Sequence, residues 1–432
     1  MTGRLLSKTF LTNVFLQARR LSGLFDNFKK ILVHEQFGVN ENREVTIVEF
    51  RDRILDVVIN EIVPSIKTNV QPVTTERNMD ESYCRLQIPV NGRGYQLRYL
   101  SANRAGIRLG RLLEDLDMFS VWLSYLHCQG RENWGKPTVN PCIFVTACCD
   151  QINLATQDIN PKSDLHLEGH VSWAGGASVE TTMRIVQDEK QLLDAKFIMV
   201  NLSPQNMKEK VNVPQLIHES PVENELFKLG QKNNARRKSQ KDESFLKRPP
   251  TPDQVQQLHQ LHLRRVKDMS YVPSDGGTKD TTYIGETARM TTVNCFPEDQ
   301  NFYGKMFGGF LMRQAYELAA INSKLFARTR TECIAMDDIV FAEPVEIGDI
   351  LELWTRITCT QDQFMQTRVF ARKVIIDDDK SIRYQTSNTF HFSFMTLDGS
   401  KVRTVLPKDY FDGLLYHIGK KHLLECRRRT GL

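Results

Sequence analysis

One local pattern occurs twice in this chain, and it constrains the fold more than any bulk property. The first copy runs Asn103, Gly106, Gly110 and then an apolar stretch carrying Asp117; the second runs Asn301, Gly304, Gly308-Gly309 and an apolar stretch carrying Glu317. Each is Asn-x-x-Gly, a glycine turn, and an apolar helix with an acid on its second turn. A duplicated unit of this kind predicts two like domains facing each other, with a site where one copy's loop meets the other copy's helix.

The segments downstream of the two copies repeat as well. In the first, residues 109–128 read as a helix with Leu112, Leu113, Leu116, Phe119, Val121, Leu123 and Leu126 spread over most of its circumference, so it should be wrapped on several sides. Four strand candidates come next, at 142–154, 165–175, 178–188 and 192–202, separated by turn residues. The second copy has a helix at 307–327 and strands at 333–345, 350–361, 363–377 and 383–397. One long buried helix before a run of antiparallel strands predicts an α+β unit, a curled sheet around the helix. The domains are placed at 81–202 and 282–400, with an N-terminal extension at 26–80, a linker with helices at 203–281 and a C-terminal segment at 401–432. Within the linker, residues 232–254 are polar, lack apolar periodicity and read as solvated chain, including Arg236-Arg237-Lys238-Ser239. Thr251-Pro252-Asp253 marks the start of a helix that packs on the outside.

A chain of 432 residues has room for two domains and a connection. Its formal charge of +5 comes without a basic stripe interleaved with aromatics, which argues against nucleic acid. Nine cysteines, with no CxxC pair, favour reduced thiols over a disulfide framework or a zinc site. The first 25 residues carry Arg4, Lys8, Arg19 and Arg20, no acid, and Leu5, Leu6, Phe10, Leu11, Val14 and Phe15 on one helical face. That composition reads as a mitochondrial presequence. No run of 18 or more apolar residues occurs, so no membrane span is expected.

Four stretches, GRLLEDLD with the following YLHC, GHVSWAG, ESPVENELFKLGQ and FGGFLMRQAYELA, make the chain similar to the mitochondrial double-hotdog acyl-CoA thioesterases of the thioesterase 9 type. The resemblance covers about Cys84 to near His417. It implies tandem hotdog domains, hydrolysis of acyl-CoA to free fatty acid and coenzyme A, a matrix or inner-membrane location, association into homo-oligomers, and no metal or redox cofactor, coenzyme A being part of the substrate. It also implies an Asn eight residues before the second helix-start glycine and a carboxylate seven residues after it. Asn301 meets the first spacing relative to Gly309, and Asp117 meets the second relative to Gly110. The complete pair is thus split between the domains.

The chemistry fits these residues. A thioester carbonyl attacked by water develops negative charge on oxygen, which the unpaired N–H groups of a helix N-terminus can hold. Gly308 and Gly309 lack Cβ and admit the substrate. Asp117, desolvated on an apolar helix, gains basicity; it acts as a general base or attacks directly to form an anhydride. The pseudo-symmetric site of Asn103 and Glu317 is expected to be degenerate, because its loop is shorter and Leu109 stands where a second glycine would. Arg104, Arg108, Arg111, Lys305 and Arg313, near the helix starts, are the candidates for the coenzyme A phosphates. Glu114 and Asp115 read as the solvated edge of the helix, His259 and His262 as a solvated face, Cys148-Cys149 as packing, and His170 and Trp173 as core or tunnel lining. The rival reading is a non-catalytic acyl-CoA sensor or scaffold in which both sites have decayed.

Overall fold

The computed structural model describes residues 46–47, 49–51, 76–91, 96–101, 106–130, 143–154, 159–160, 162–203, 206, 208–242, 248–268, 280–301 and 304–431. The expected presequence at 1–25 lies outside these residues.

The first half begins with β1 (Arg77–Asn78), β2 (Cys84–Ile88) and a single turn α1 (Gln96–Tyr99), then the long helix α2 (Leu109–Gln129). Strands β3 (Ile143–Leu154), β4 (Leu165–Ala174), β5 (Ser178–Gln187) and β6 (Lys190–Leu202) come after it. A short β7 (Leu216–Ile217) and helices α3 (Pro221–Asp242) and α4 (Pro252–Asp268) lead to the second half. There β8 (Thr281–Tyr283) and β9 (Arg289–Asn294) precede α5 (Gly308–Ala327), β10 (Thr331–Phe341), β11 (Ile350–Gln361), β12 (Phe364–Ile376) and β13 (Ile382–Thr396). The chain closes with β14 (Thr404–Leu406) and α6 (Tyr410–Thr430).

Ten strands form one sheet in the order β2-β4-β5-β6-β3-β10-β13-β12-β11-β9. Read outward from its centre, each half has the same order, so the duplication seen in the sequence is a pseudo-two-fold in space. The halves join through the antiparallel pair β3–β10, from Ala335 opposite Asn153 to Val340 opposite Cys148. Edge-to-edge joining satisfies the backbone of two strands that would otherwise be open edges. The leading strands β2 and β9, which carry no expectation from the sequence, close the outer edges.

Helix α2 is buried along nearly its whole length, as its apolar circumference predicts. The cover on its outer side comes from the N-terminal extension: Phe50 packs edge-on against Phe119 and Trp122, with ring centroids 6.4 and 5.2 Å away. Burying one such side chain is worth roughly 1.5–3 kcal/mol. Among the described residues helix α5 has no such cover, and Ile321 and Leu325 are more than half exposed.

The polar stretch at 232–254 departs from the expectation of solvated linker. Up to Asp242 it continues α3, which lies on the outer face of the first half's sheet. Gly230 admits the Trp173 side chain, since a Cβ there would come within 2.4 Å of it. Further along, Arg237 Nη1 donates to Asp150 Oδ2 (2.7 Å) and Glu180 Oε2 (3.2 Å), both acids being buried. Arg236 pairs with Asp150 at 3.5 Å. The stretch therefore docks by charge complementarity, which apolar periodicity cannot register. Helix α4 packs outside, as expected: Leu261 joins Tyr283 and Leu406, and the Gln254 carbonyl lies 2.9 Å from His417 Nε2 of α6.

Candidate active site

The site forms where α2 and α5 cross. Two glycines make the approach possible. A Cβ on Gly309 would stand 2.7 Å from the Glu114 Cα and 3.1 Å from the Asp117 Cβ. One on Gly308 would stand 3.1 Å from Asp117 Oδ2. Phe307, the residue before α5, makes no side-chain cap, so the first N–H groups of the helix are left to other partners. The Gly309 N–H donates to Asp117 Oδ2 at 2.6 Å. A carboxylate from one half thus sits on the helix N-terminus of the other, where the helix dipole favours negative charge.

Asp117 has no solvent-exposed surface. Thr146 Oγ1 of β3 donates to its Oδ1 at 2.6 Å. Burial pushes its pKa up from 3.8 to about 6, against the two hydrogen bonds, which favour the charged form. The result is a carboxylate ionised at neutral pH yet more basic than an ordinary one. Asn301 lies in the turn leading into α5. Its Oδ1 accepts from the Lys305 N–H (3.0 Å) and its carbonyl from the Gly304 N–H (3.2 Å), with Gly304 at φ +72°. Asp117, Gly308 and Gly309 therefore meet at one point, while Asn301 shapes the loop that presents α5.

The pseudo-symmetric position is built differently. Tyr316 occupies the helix position that Asp117 has in α2 and packs against Phe392 and Phe394. Glu317, one residue on, reaches the start of α2 beside Gly110, but Arg108 holds it through two bonds, Nε to Oε1 (2.7 Å) and Nη2 to Oε2 (3.1 Å). Asn103 lies outside the described residues.

Two expectations about neighbouring charges need correction. Asp115 is not at a solvated edge: it is 1% exposed, accepts from Tyr99 Oη (2.6 Å) and Arg51 Nη2 (3.0 Å), and burial raises its pKa to about 6. Glu114 is half-buried and gathers Arg111 (2.7 Å) and Arg313 (2.5 Å) at the helix crossing. Those two arginines, expected to face coenzyme A phosphates, are turned inward to this acid. Lys305 pairs with Glu346 and keeps about a third of its side chain open; Arg104 lies outside the described residues. His170 and Trp173 are buried on β4, and Cys148 and Cys149 lie on β3, with burial driving the Cys148 thiol up to about 12. His259 and His262 are exposed on α4. Among the described residues no group of three or more His, Cys, Asp or Glu gathers as a metal site, and no helix is long and apolar enough to cross a membrane.

Thr146 escaped the reading of the sequence. Its signal was a hydroxyl inside the apolar run of 143–149, on a strand next to the helix that carries Asp117.

Two helix-on-sheet halves fused edge to edge, with a buried carboxylate of one on the helix start of the other, define a tandem hotdog protein of the thioester-hydrolase class. No family model matches the chain. Curated relatives do: acyl-coenzyme A thioesterase 9, mitochondrial, of Mus musculus is 33% identical over 382 residues, 86% of this chain and 84% of the relative. Its Homo sapiens counterpart is 32% identical over 380 residues with the same coverage. A mitochondrial acyl-coenzyme A thioesterase 4 of Humulus lupulus is 28% identical over 325 residues, 70% of this chain and 58% of that protein. Among solved structures, an acyl-CoA hydrolase of Staphylococcus aureus in complex with butyryl coenzyme A is 23% identical, with a TM-score of 0.32, covering 34% of this chain and 92% of its own. The chain belongs to the mitochondrial acyl-coenzyme A thioesterase 9 family.

Proposed function

We propose that this enzyme hydrolyses acyl-CoA thioesters at one site per chain, with Asp117 as the general base and the start of α5 as the oxyanion site. The observation that carries this reading is the buried Asp117 carboxylate bonded to the Gly309 N–H of the opposite half. Asp117 takes a proton from water, the oxygen adds to the thioester carbonyl carbon, and the negative charge that develops on the carbonyl oxygen rests on the N-terminal N–H groups of α5. Collapse breaks the C–S bond, and the coenzyme A thiolate takes up the proton as the free acid forms. Asn301 holds the loop before α5 in place. Lys305, on that loop and about a third exposed, is the candidate among the described residues for a coenzyme A phosphate.

The Arg108–Glu317 pair supports one competent site, because it neutralises the acid that the mirror-image site would need. The test is release of free thiol from acyl-CoAs of graded length by the wild type, Asp117→Asn and Asn301→Ala. Loss of at least a hundredfold in kcat for Asp117→Asn, with acyl-CoA still bound, is the expected result. A wild type inert on every chain length but thermally stabilised by acyl-CoA replaces the enzyme with a sensor.

A further inference from the structure

Phe341, the last residue of β10, lies against the same glycine as the catalytic carboxylate. Its ring atoms Cζ and Cε1 are 3.2 and 3.3 Å from the point where a Gly308 Cβ would stand, and Asp117 Oδ2 is 3.1 Å from that point. A carbonyl that reaches both Asp117 and the start of α5 therefore has this ring at its side. Phe341 is half-buried, and what stands behind it is not free to yield. Phe390 meets it edge-on at 6.3 Å, Phe392 stacks on Phe390 at 6.4 Å, and Phe394 comes next at 6.4 Å, with Tyr316 of α5 packed on the last two. The three β13 rings are buried.

The first half differs at the matching row. Its final strand β6 presents Ala195, Phe197 and Met199 to the core, and Ser120 of α2 lies 3.2 Å from the Met199 sulfur. Met199 is also the β-partner of Thr146, which holds Asp117. The adaptable thioether of Met199 thus stands beside the Thr146 that holds the carboxylate on one side, and a close-packed aromatic ladder stands on the other.

We propose that Phe341 is a specificity-determining residue, the wall that limits how long an acyl chain the site accepts on the α5 side. The inference rests on the catalytic reading of Asp117. Truncating the ring opens the strand end beside Gly308 and admits further methylenes; enlarging it closes the site earlier.

The test is kcat/KM for straight-chain acyl-CoAs from butyryl to palmitoyl, measured on the full chain and on Phe341→Ala, Phe341→Leu and Phe341→Trp, each checked by circular dichroism and thermal unfolding. Phe341→Ala is expected to raise the dodecanoyl-to-butyryl ratio about tenfold, at least the discrimination of a single methylene. Phe341→Leu raises it less, and Phe341→Trp lowers it. Where Phe341→Ala does not fold or turn over, the Leu and Trp variants decide. A ratio within twofold of wild type in every folded variant overturns the proposal. The ratio compares substrates on one protein, so it is independent of the role of Asp117; full activity in Asp117→Asn would sink the catalytic reading and leave the chain-length result standing on its own.

Discussion

Replacing Asp117 by Asn should destroy activity and stabilise the protein, and the second effect should depend on pH. Burial raises the folded-state pKa of Asp117 from 3.8 to about 6. At about 1.4 kcal/mol per tenfold change in proton affinity, this is ~3 kcal/mol against the charged form. The folded state holds this proton more tightly than the unfolded state, so the wild type is most stable below about pH 4 with respect to this group. That stability is lost as pH rises through about 6. Asn keeps an oxygen for the Gly309 N–H and an amide for the Thr146 hydroxyl but cannot ionise. The difference in stability between variant and wild type should therefore grow by up to ~3 kcal/mol between pH 4 and pH 7.5. Asp115, pushed up in the same way, is common to both proteins and cancels. With an unfolding entropy of about 2.1 cal/mol/K per residue over 432 residues, the difference in Tm should widen by roughly 3 °C. Thermal unfolding of both proteins in a buffer series checks this. A Tm difference that stays flat within about 1 °C from pH 4 to 7.5 refutes the claim that Asp117 is a desolvated base.

Thr146→Val removes a hydrogen bond that favours ionised Asp117, so the acid limb of the kcat/KM profile should move up by about one pH unit, whereas Thr146→Ser should restore it; a profile unmoved in both variants contradicts the assigned role. Gly309→Ala puts a methyl against the Glu114 backbone, which cannot swing aside; the expected loss is about 1–3 kcal/mol of stability with hydrolysis falling more than tenfold, read by Tm and thiol release. Glu317→Gln should leave kcat/KM within about twofold of wild type, since the acid is bound by Arg108 outside the working site; a drop beyond tenfold would make the second site catalytic. Phe50→Ala removes the cover on Phe119 and Trp122 and should cost about 3–5 kcal/mol, seen as a lowered denaturant midpoint with unchanged slope.

Much of the architecture was legible because the core elements obey simple periods. The strands at 350–361 and 165–175 alternate or run apolar between turn residues, and α2 is apolar around most of a circumference that the structure buries along nearly its whole length. What went unread had no such period. Helix α3 is held by Arg237 on Asp150 and Glu180 and by the Trp173 slot at Gly230, and its polar surface looks like linker to any hydropathy pattern. The outer cover of α2 by Phe50 comes from a segment more than fifty residues earlier in the chain, a contact that no local rule predicts.

The same division runs through the site. Asn301, Gly308, Gly309 and Asp117 were readable because a duplicated motif with fixed spacings forces a helix start and an acid into equivalent places in each half. The sequence alone therefore determined the repeat, the helix-then-strands order and the acids on the second turns. Tertiary structure decided which of them come together. Only the crossing of α2 over α5 brings Asp117 onto the Gly309 N–H, only the β3 register sets Thr146 on its other oxygen, and only the packing around Arg108 binds Glu317 away from the mirror site. Desolvation and directed hydrogen bonds depend on distances of a few tenths of an ångström between distant residues, and spacing along a chain does not encode those distances.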